Sequence, residues 1–478
     1  MKNSYSKYCV ILAAIVFLVF QNQITAQKGG SVNKVFFKNG LVAKEFYLGA
    51  DQKIDSVKTY HKEGGLNEKF YYDDNNQFHG ICEQFTTEGK LKSTWVFVHG
   101  NLIRTTHHIK ESNLKNKKTV EFNYDNIDKM DMILKGNPND KQAIYSRAAS
   151  REYLQNNVLA EIDYLILKAD LENIKATSVI KDKIQLENFN KTLSEVYSRL
   201  GSIYSGWNYA NIAVDYKLKA INTDPKEIRF IYNLGSYLVT EEEDFRLGIY
   251  FLNEVTKAFP NHNFAHWGLG YSYLELEQYD KAIQNINIAF ENEANLYEYG
   301  YGTAESDLRT IRGLAYHKSG KTDLGIKDLT ESLRINDKNS VANKYMGIVY
   351  QDLGESQKAC EFFQKARTLG YEKKYYNKEL ESFIKKTCNA SQKAIVETVY
   401  TGTKDLPFIA PNPAENTVEV FNYAYSDFNY EIYNAQSQKL RQGISNDKII
   451  QVSGLSAGFY ILIINHQGKS ETFKLIKK

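Results

Sequence analysis

The chain has 478 residues, 42% hydrophobic and 13% aromatic, enough apolar side chain to bury cores in about two to four domains and to exclude a wholly disordered protein. Lys and Arg number 60 against 57 Asp and Glu, a formal charge of +3, so there is no basic surplus of the kind that marks nucleic-acid binding. Four cysteines are too few for a disulfide scaffold.

Residues 1–26 have the order of a secretory signal peptide. Lys2 and Lys7 supply positive charge, Tyr8 to Phe20 form an apolar run of 13, and Ala26 is a small residue at a plausible cleavage point. As a helix that run spans about 20 Å, short of a ~30 Å hydrocarbon core. An N-terminal membrane anchor is the alternative. No later segment approaches 18 apolar residues, so a mature chain without a transmembrane segment is expected.

Residues 27–113 read as β-hairpins. Short aromatic and β-branched runs such as Phe70-Tyr71-Tyr72 and Thr94-Trp95-Val96-Phe97-Val98 alternate with turns such as Asp73-Asp74-Asn75-Asn76 and His99-Gly100-Asn101, which is a hairpin pattern. The element Tyr71-Tyr72-Asp73-x-x-x-Gln77-x-His79-Gly80, followed by Gly89-Lys90-Leu91-Lys92, resembles MORN-type β-hairpin repeats, which implies a structural or interaction role. An unrelated small antiparallel sheet is the alternative.

Residues 114–390 read as helix: a divergent helical region over 114–193, then a repeat array with a capping helix over 194–390. Pro225 and Pro260 each follow an amphipathic run, as stop signals do. Gly201, Gly235, Gly270, Gly313 and Gly347 recur at steps of 34, 35, 43 and 34. A small residue lies downstream of each: Ala213, Gly248, Ala282, Gly325 and Ala359. Such small residues let two helices approach closely, and a pair that leaves its apolar face open must stack on its neighbours. The spacing resembles the tetratricopeptide repeat (TPR). The step of 43 implies an insertion near Glu291 to Glu305 that contains Tyr297, Tyr299 and Tyr301.

The TPR resemblance implies a peptide-binding groove lined by the first helix of each pair. The positions it implies carry Arg229, Tyr232, Ser236 and Val239, then Phe264, Trp267, Tyr271 and Leu274, then Asp307, Thr310, Leu314 and His317. Arg229, Tyr232, Phe264, Trp267, Tyr271 and His317 are the candidate ligand-contacting residues, because aromatic side chains bury large areas at low entropy cost. The alternative is that the aromatic stripe packs against the next repeat or the insertion.

Signs of chemistry are few. Phosphate-binding and nucleophile-elbow motifs are absent from the sequence. His262 and His266 are four apart, but Asn263 stands where a zinc hydrolase needs its Glu base. His107-His108 reads as a solvated strand edge, and Glu241 to Asp244 as a turn between helices rather than a calcium loop. No catalytic residue, metal site or cofactor is expected. Cys360 and Cys388 fall on the last repeat and the capping helix. In an oxidising compartment they would staple the cap to the array, with two buried thiols as the alternative. Cys82 is then unpaired.

After a linker at 391–404, residues 405–478 return to β. Ala410-Pro411-Asn412-Pro413, Ile432-Tyr433-Asn434 with Gln438, Gly454-Leu455-x-x-Gly458-x-Tyr460 and the basic end Phe473 to Lys478 look like the type IX secretion sorting domain, type A. One departure is Ser437 before Gln438, where that family often has Gly. The resemblance implies a small β-sandwich that hands the chain to a type IX translocon as partner. It also implies delivery to the cell surface or medium.

The expected architecture is multidomain: an α-solenoid of TPR helix pairs flanked by an N-terminal antiparallel β-hairpin region and a C-terminal β-sandwich. The expected function is an exported, non-enzymatic scaffold that binds a protein or peptide in its groove. An accessory or enzyme of surface-polymer processing is the alternative.

Overall fold

The computed structural model describes residues 26–27, 30–108, 117–178, 180–291, 296, 304–305, 307–375, 379–388, 407–435 and 437–478. The expected leader up to Thr25, the linker at 391–404 and the three tyrosines of the insertion lie outside them. The chain divides into two compact units: Met1–Pro225 with Leu406–Lys478, and Lys226–Asp405.

The first unit opens with an eight-stranded antiparallel meander, each strand pairing with the next in sequence. Its strands are β1 (Ala26–Gln27), β2 (Gly30–Phe36), β3 (Val42–Leu48), β4 (Ile54–Tyr60), β5 (Leu66–Tyr71), β6 (Gly80–Phe85), β7 (Leu91–Val98) and β8 (Asn101–His107). Period-2 alternation turns Ser93, Trp95 and Phe97 of β7 inward. Phe70 stacks on Trp95 with ring centroids 5.6 Å apart, and Phe78 bridges to Phe70 at 5.0 Å and Phe97 at 5.1 Å. Cys82 is a free, buried thiol on the same sheet.

Helices α1 (Lys117–Gly136), α2 (Lys141–Tyr153), α3 (Asn157–Thr177), α4 (Lys183–Gly206) and α5 (Ala210–Thr223) follow. Asp140 and Asp182 cap α2 and α4 by accepting from backbone N–H groups. The sheet meets α3 and α4 through buried polar groups. Lys44 Nζ lies 3.4 Å from Glu161 Oε2 and 3.6 Å from the centre of the Trp207 ring. Tyr204 donates to Glu161 at 2.6 Å, and Thr59 donates to Glu68 at 2.9 Å. Gln84 and Lys92 both donate to the Leu154 carbonyl.

The C-terminal strands form two antiparallel sheets, β13-β10-β9 and β12-β11-β14-β15. They comprise β9 (Phe408–Ala410), β10 (Thr417–Phe421), β11 (Phe428–Asn434), β12 (Lys439–Ser445), β13 (Ile449–Gln451), β14 (Gly458–His466) and β15 (Lys469–Lys477). Val418, Val420 and Ile450 of one sheet and Ile432, Leu462 and Leu475 of the other share a buried apolar cluster. Asn412, between its two prolines, clamps β15: its amide donates to the Lys474 carbonyl and its oxygen accepts from Ile476 N–H. Ser437 adopts φ +60°, a left-handed conformation that suits glycine, at the point where the sequence departs from the sorting-domain pattern.

The second unit continues the helical pairs: α6 (Ile228–Thr240), α7 (Phe245–Ala258), α8 (Asn263–Glu275), α9 (Tyr279–Phe290), α10 (Leu308–Lys318), α11 (Thr322–Ile335), α12 (Ser340–Asp352) and α13 (Ser356–Thr368). The short α14 (Tyr371–Tyr375) and the closing α15 (Glu379–Cys388) end it. Each repeat glycine sits where its pair crosses. A Cβ on Gly313 would come 3.1 Å from the Gly325 carbonyl oxygen, and one on Gly347 would come 2.5 Å from the Phe363 ring. The acidic run between α6 and α7 is a turn whose last residue, Asp244, caps α7. A Cys360–Cys388 disulfide joins α13 to α15. These stacked pairs form a TPR-like helical solenoid.

Candidate functional site

Helices α8, α9, α10, α12 and α15 line an open cavity of about 560 Å³. Its apolar lining comes from Leu274, Leu314, Tyr345, Ile348 and Phe383, and its charged lining from Glu275, Asp352, Glu379, Lys318, Lys344 and Lys386. Charged side chains of both signs therefore share the lining with apolar ones.

The polar contacts along this lining are specific. Lys344 is buried and donates to Glu379 at 2.7 Å and to the Tyr371 hydroxyl at 2.9 Å. Burial opposes its charge, but Tyr371 and Glu379 outweigh burial and raise its pKa above the ordinary lysine value. Lys318 reaches Asp352 at 2.6 Å, and His317 Nε2 lies 3.1 Å from the same carboxylate. Burial works against the Asp352 charge, yet Lys318 and His317 together hold its pKa below the ordinary value. Glu275 is exposed and borders the same cavity. Desolvation first, with repulsion from Glu379 and Glu243, raises its pKa to about 7 against the pull of Lys344.

None of the six sequence-derived residues is on this cavity's lining. Trp267 is buried, 6% exposed, and stacks on Tyr271 with centroids 6.0 Å apart. Tyr271 also meets Phe245 edge-on. Phe264 packs, partly buried, on the same apolar cluster as Trp267. His317 is buried between Thr322 and Asp352. Tyr232 lies against the His262 ring at 5.0 Å, and Arg229 is exposed beside Glu227. Leu274 and Leu314, which occupy implied groove positions, do line the cavity.

Sequence reasoning overlooked Lys344, Ile348 and Gln351. They stand at the same register positions of the fifth repeat, three before, one after and four after Gly347, so extending the register by one repeat finds them. The lining contributed by α15 has no repeat signal.

The histidines noted in the sequence have structural partners. His262 caps α8 by accepting from Ala265 N–H, and His266 bonds Asn285 and the Pro260 carbonyl. His107 and His108 bond Ser93 and Thr94. No helix among the described residues is long and apolar enough to cross a membrane.

Residues 409–478 match the family model of the secretion system C-terminal sorting domain. No curated protein matches the chain. Among solved structures, a tetratricopeptide repeat protein from Parabacteroides merdae is similar at 14% identity and TM-score 0.37, covering 57% of this chain and 98% of its own. YrrB, described as a TPR protein with an unusual peptide-binding site, is similar at 15% identity and TM-score 0.34, covering 45% of this chain and 95% of its own. MamA from Desulfovibrio magneticus is similar at 17% identity and TM-score 0.32, covering 37% of this chain and 96% of its own.

Proposed function

We propose that this chain is an exported scaffold that binds a peptide or protein segment in the cavity of its second unit, and that its C-terminal strands direct type IX secretion. The observation that carries the binding reading is a lining that combines apolar side chains with charges of both signs. An extended segment with alternating apolar and charged side chains complements such a surface: apolar contact supplies affinity, and the charges fix register. Arg229 and Tyr232 are proposed as outlying contacts. Phe264, Trp267, Tyr271 and His317 are proposed to act mainly by holding α8 and α10 in place. The first-unit sheet, read as MORN-type repeats on its Tyr71 to Gly80 element, is proposed as a second contact surface.

The test is cross-linking on intact cells with a tag inside the mature region, followed by mass spectrometry. A reproducible partner is expected, and it should be lost in a Tyr279→Ala/Lys386→Glu double variant, which changes two lining residues contributed by α9 and α15, provided that the variant reaches the surface normally. A partner retained by that variant would remove the cavity from the reading. No partner at all would favour a spacer or a role in surface-polymer processing.

A further inference from the structure

We propose that Asp73, His79 and His99 form a binding site for a divalent transition-metal cation, of the zinc type, at one end of the N-terminal sheet. The three residues come from two neighbouring turns. Asp73 and His79 bracket the connection between β5 and β6, and His99 lies in the tight turn between β7 and β8. One ligand atom from each lies within 4.8 Å of the others. Ligands about 2.0–2.1 Å from a tetrahedral ion are roughly 3.4 Å apart, so closure needs side-chain adjustment and no change of fold.

The site is held from below. Asp73 Oδ1 accepts from the backbone N–H groups of Asn75 and Gln77, at 2.9 and 3.0 Å. Asp73 Oδ2 and His99 Nδ1 are hydrogen-bonded at 2.7 Å, a contact whose proton a bound metal ion would displace. The two turns are tied together by the Gly100 N–H, which donates to the Phe78 carbonyl at 2.8 Å. Phe78 itself is fully buried, so the ligands stand on a packed base. The His79 and His99 rings lie 4.8 Å apart, and His99 N–H approaches His79 Nδ1 at 3.4 Å. His99 holds φ +46°, an uncommon conformation for a residue with a Cβ.

Two imidazoles and one carboxylate suit zinc and its neighbours and do not suit calcium or magnesium, which take oxygen ligands. His99 is exposed, so three protein ligands leave a coordination position open to water or to a donor from another molecule. The support of Asp73 by backbone N–H groups is the outer-shell arrangement that orients metal ligands.

The test is titration of the full chain with Zn²⁺ against a chromophoric chelator, with Co²⁺ absorption reporting coordination number. Asn tolerates left-handed φ, so His99→Asn removes the ligand while preserving the turn. His79→Gln is the second variant, and His107→Asn is a control remote from the cluster. One ion per chain is expected, weakened about 10–100-fold or more in each cluster variant and unchanged in the control, with circular dichroism unaltered in all three. Absence of stoichiometric binding by the natural chain would overturn the proposal. So would binding that both cluster variants retain.

Discussion

Glu68 shows how much one buried carboxyl can set. Burial pushes its pKa up to about 8, and Glu161 adds repulsion, while Thr59, the Val158 N–H and Lys44 pull it back. In the folded chain it therefore keeps a proton that the unfolded chain releases near pH 4.5. Its favourable contribution is complete below that pH and is lost as pH rises toward 8, with a slope of up to ~1.4 kcal/mol per pH unit. Glu68→Gln retains an acceptor for Thr59 and Val158 but does not titrate. The variant should gain stability over the natural chain between about pH 5 and pH 8, measured by urea unfolding. Lys44 is also displaced, downward by burial, but it is present in both proteins, so the difference between their curves isolates Glu68 to first order. A constant difference across that range would refute the assignment. Trp267 teaches the opposite lesson. Its repeat position marks it as a groove residue, yet it is 6% exposed, so alanine there would report packing before it reported binding.

At the scale of elements, the repeat is a contact rule written in small residues. Where α10 and α11 cross, a Cβ on Gly325 would stand 2.7 Å from the Gly313 carbonyl oxygen and 3.0 Å from His317 N. Both neighbours are backbone atoms, so a helix has to move. Gly325→Ala should destabilise the second unit by about 1–3 kcal/mol, seen as an earlier helical transition on heating. Gly206, at the end of α4 in the first unit, meets no atom within 4 Å and is the control: Gly206→Ala should not lower the first unit's own transition. Equal effects of the two would mean that helix propensity, not close approach, governs the repeat. Helix boundaries were also legible, because Pro225 and Pro260 follow α5 and α7 closely and proline cannot continue a helix. The cavity was legible only in part. Leu274 and Leu314 come from the repeat register, whereas Glu379, Phe383 and Lys386 come from a closing helix outside it.

For the whole molecule, the prediction concerns address. Removing residues 406–478, the segment that contains the family match, should leave the chain inside the cell envelope instead of at the surface. Surface proteolysis of intact cells, with blotting of cell fractions, checks this. Undiminished surface delivery without the segment would overturn the export reading. Asn412→Ala is a milder companion, since it removes the clamp on β15 while retaining the strands.

The sequence by itself determined the things that repeat or run continuously: the helical period, the crossing glycines, the β character of both flanks and the sorting motifs. Each depends on neighbours close along the chain, so local pattern carries it. Tertiary structure alone decided what depends on distant residues meeting. It brought Lys44 of β3 to Glu161 of α3 across 117 positions, turned Trp267 inward, and set His99 beside Asp73 across 26. Such meetings follow from strand register and helix stacking, which a linear pattern constrains only in aggregate. Ligands carried on two separate turns therefore leave no spacing to read until the sheet forms.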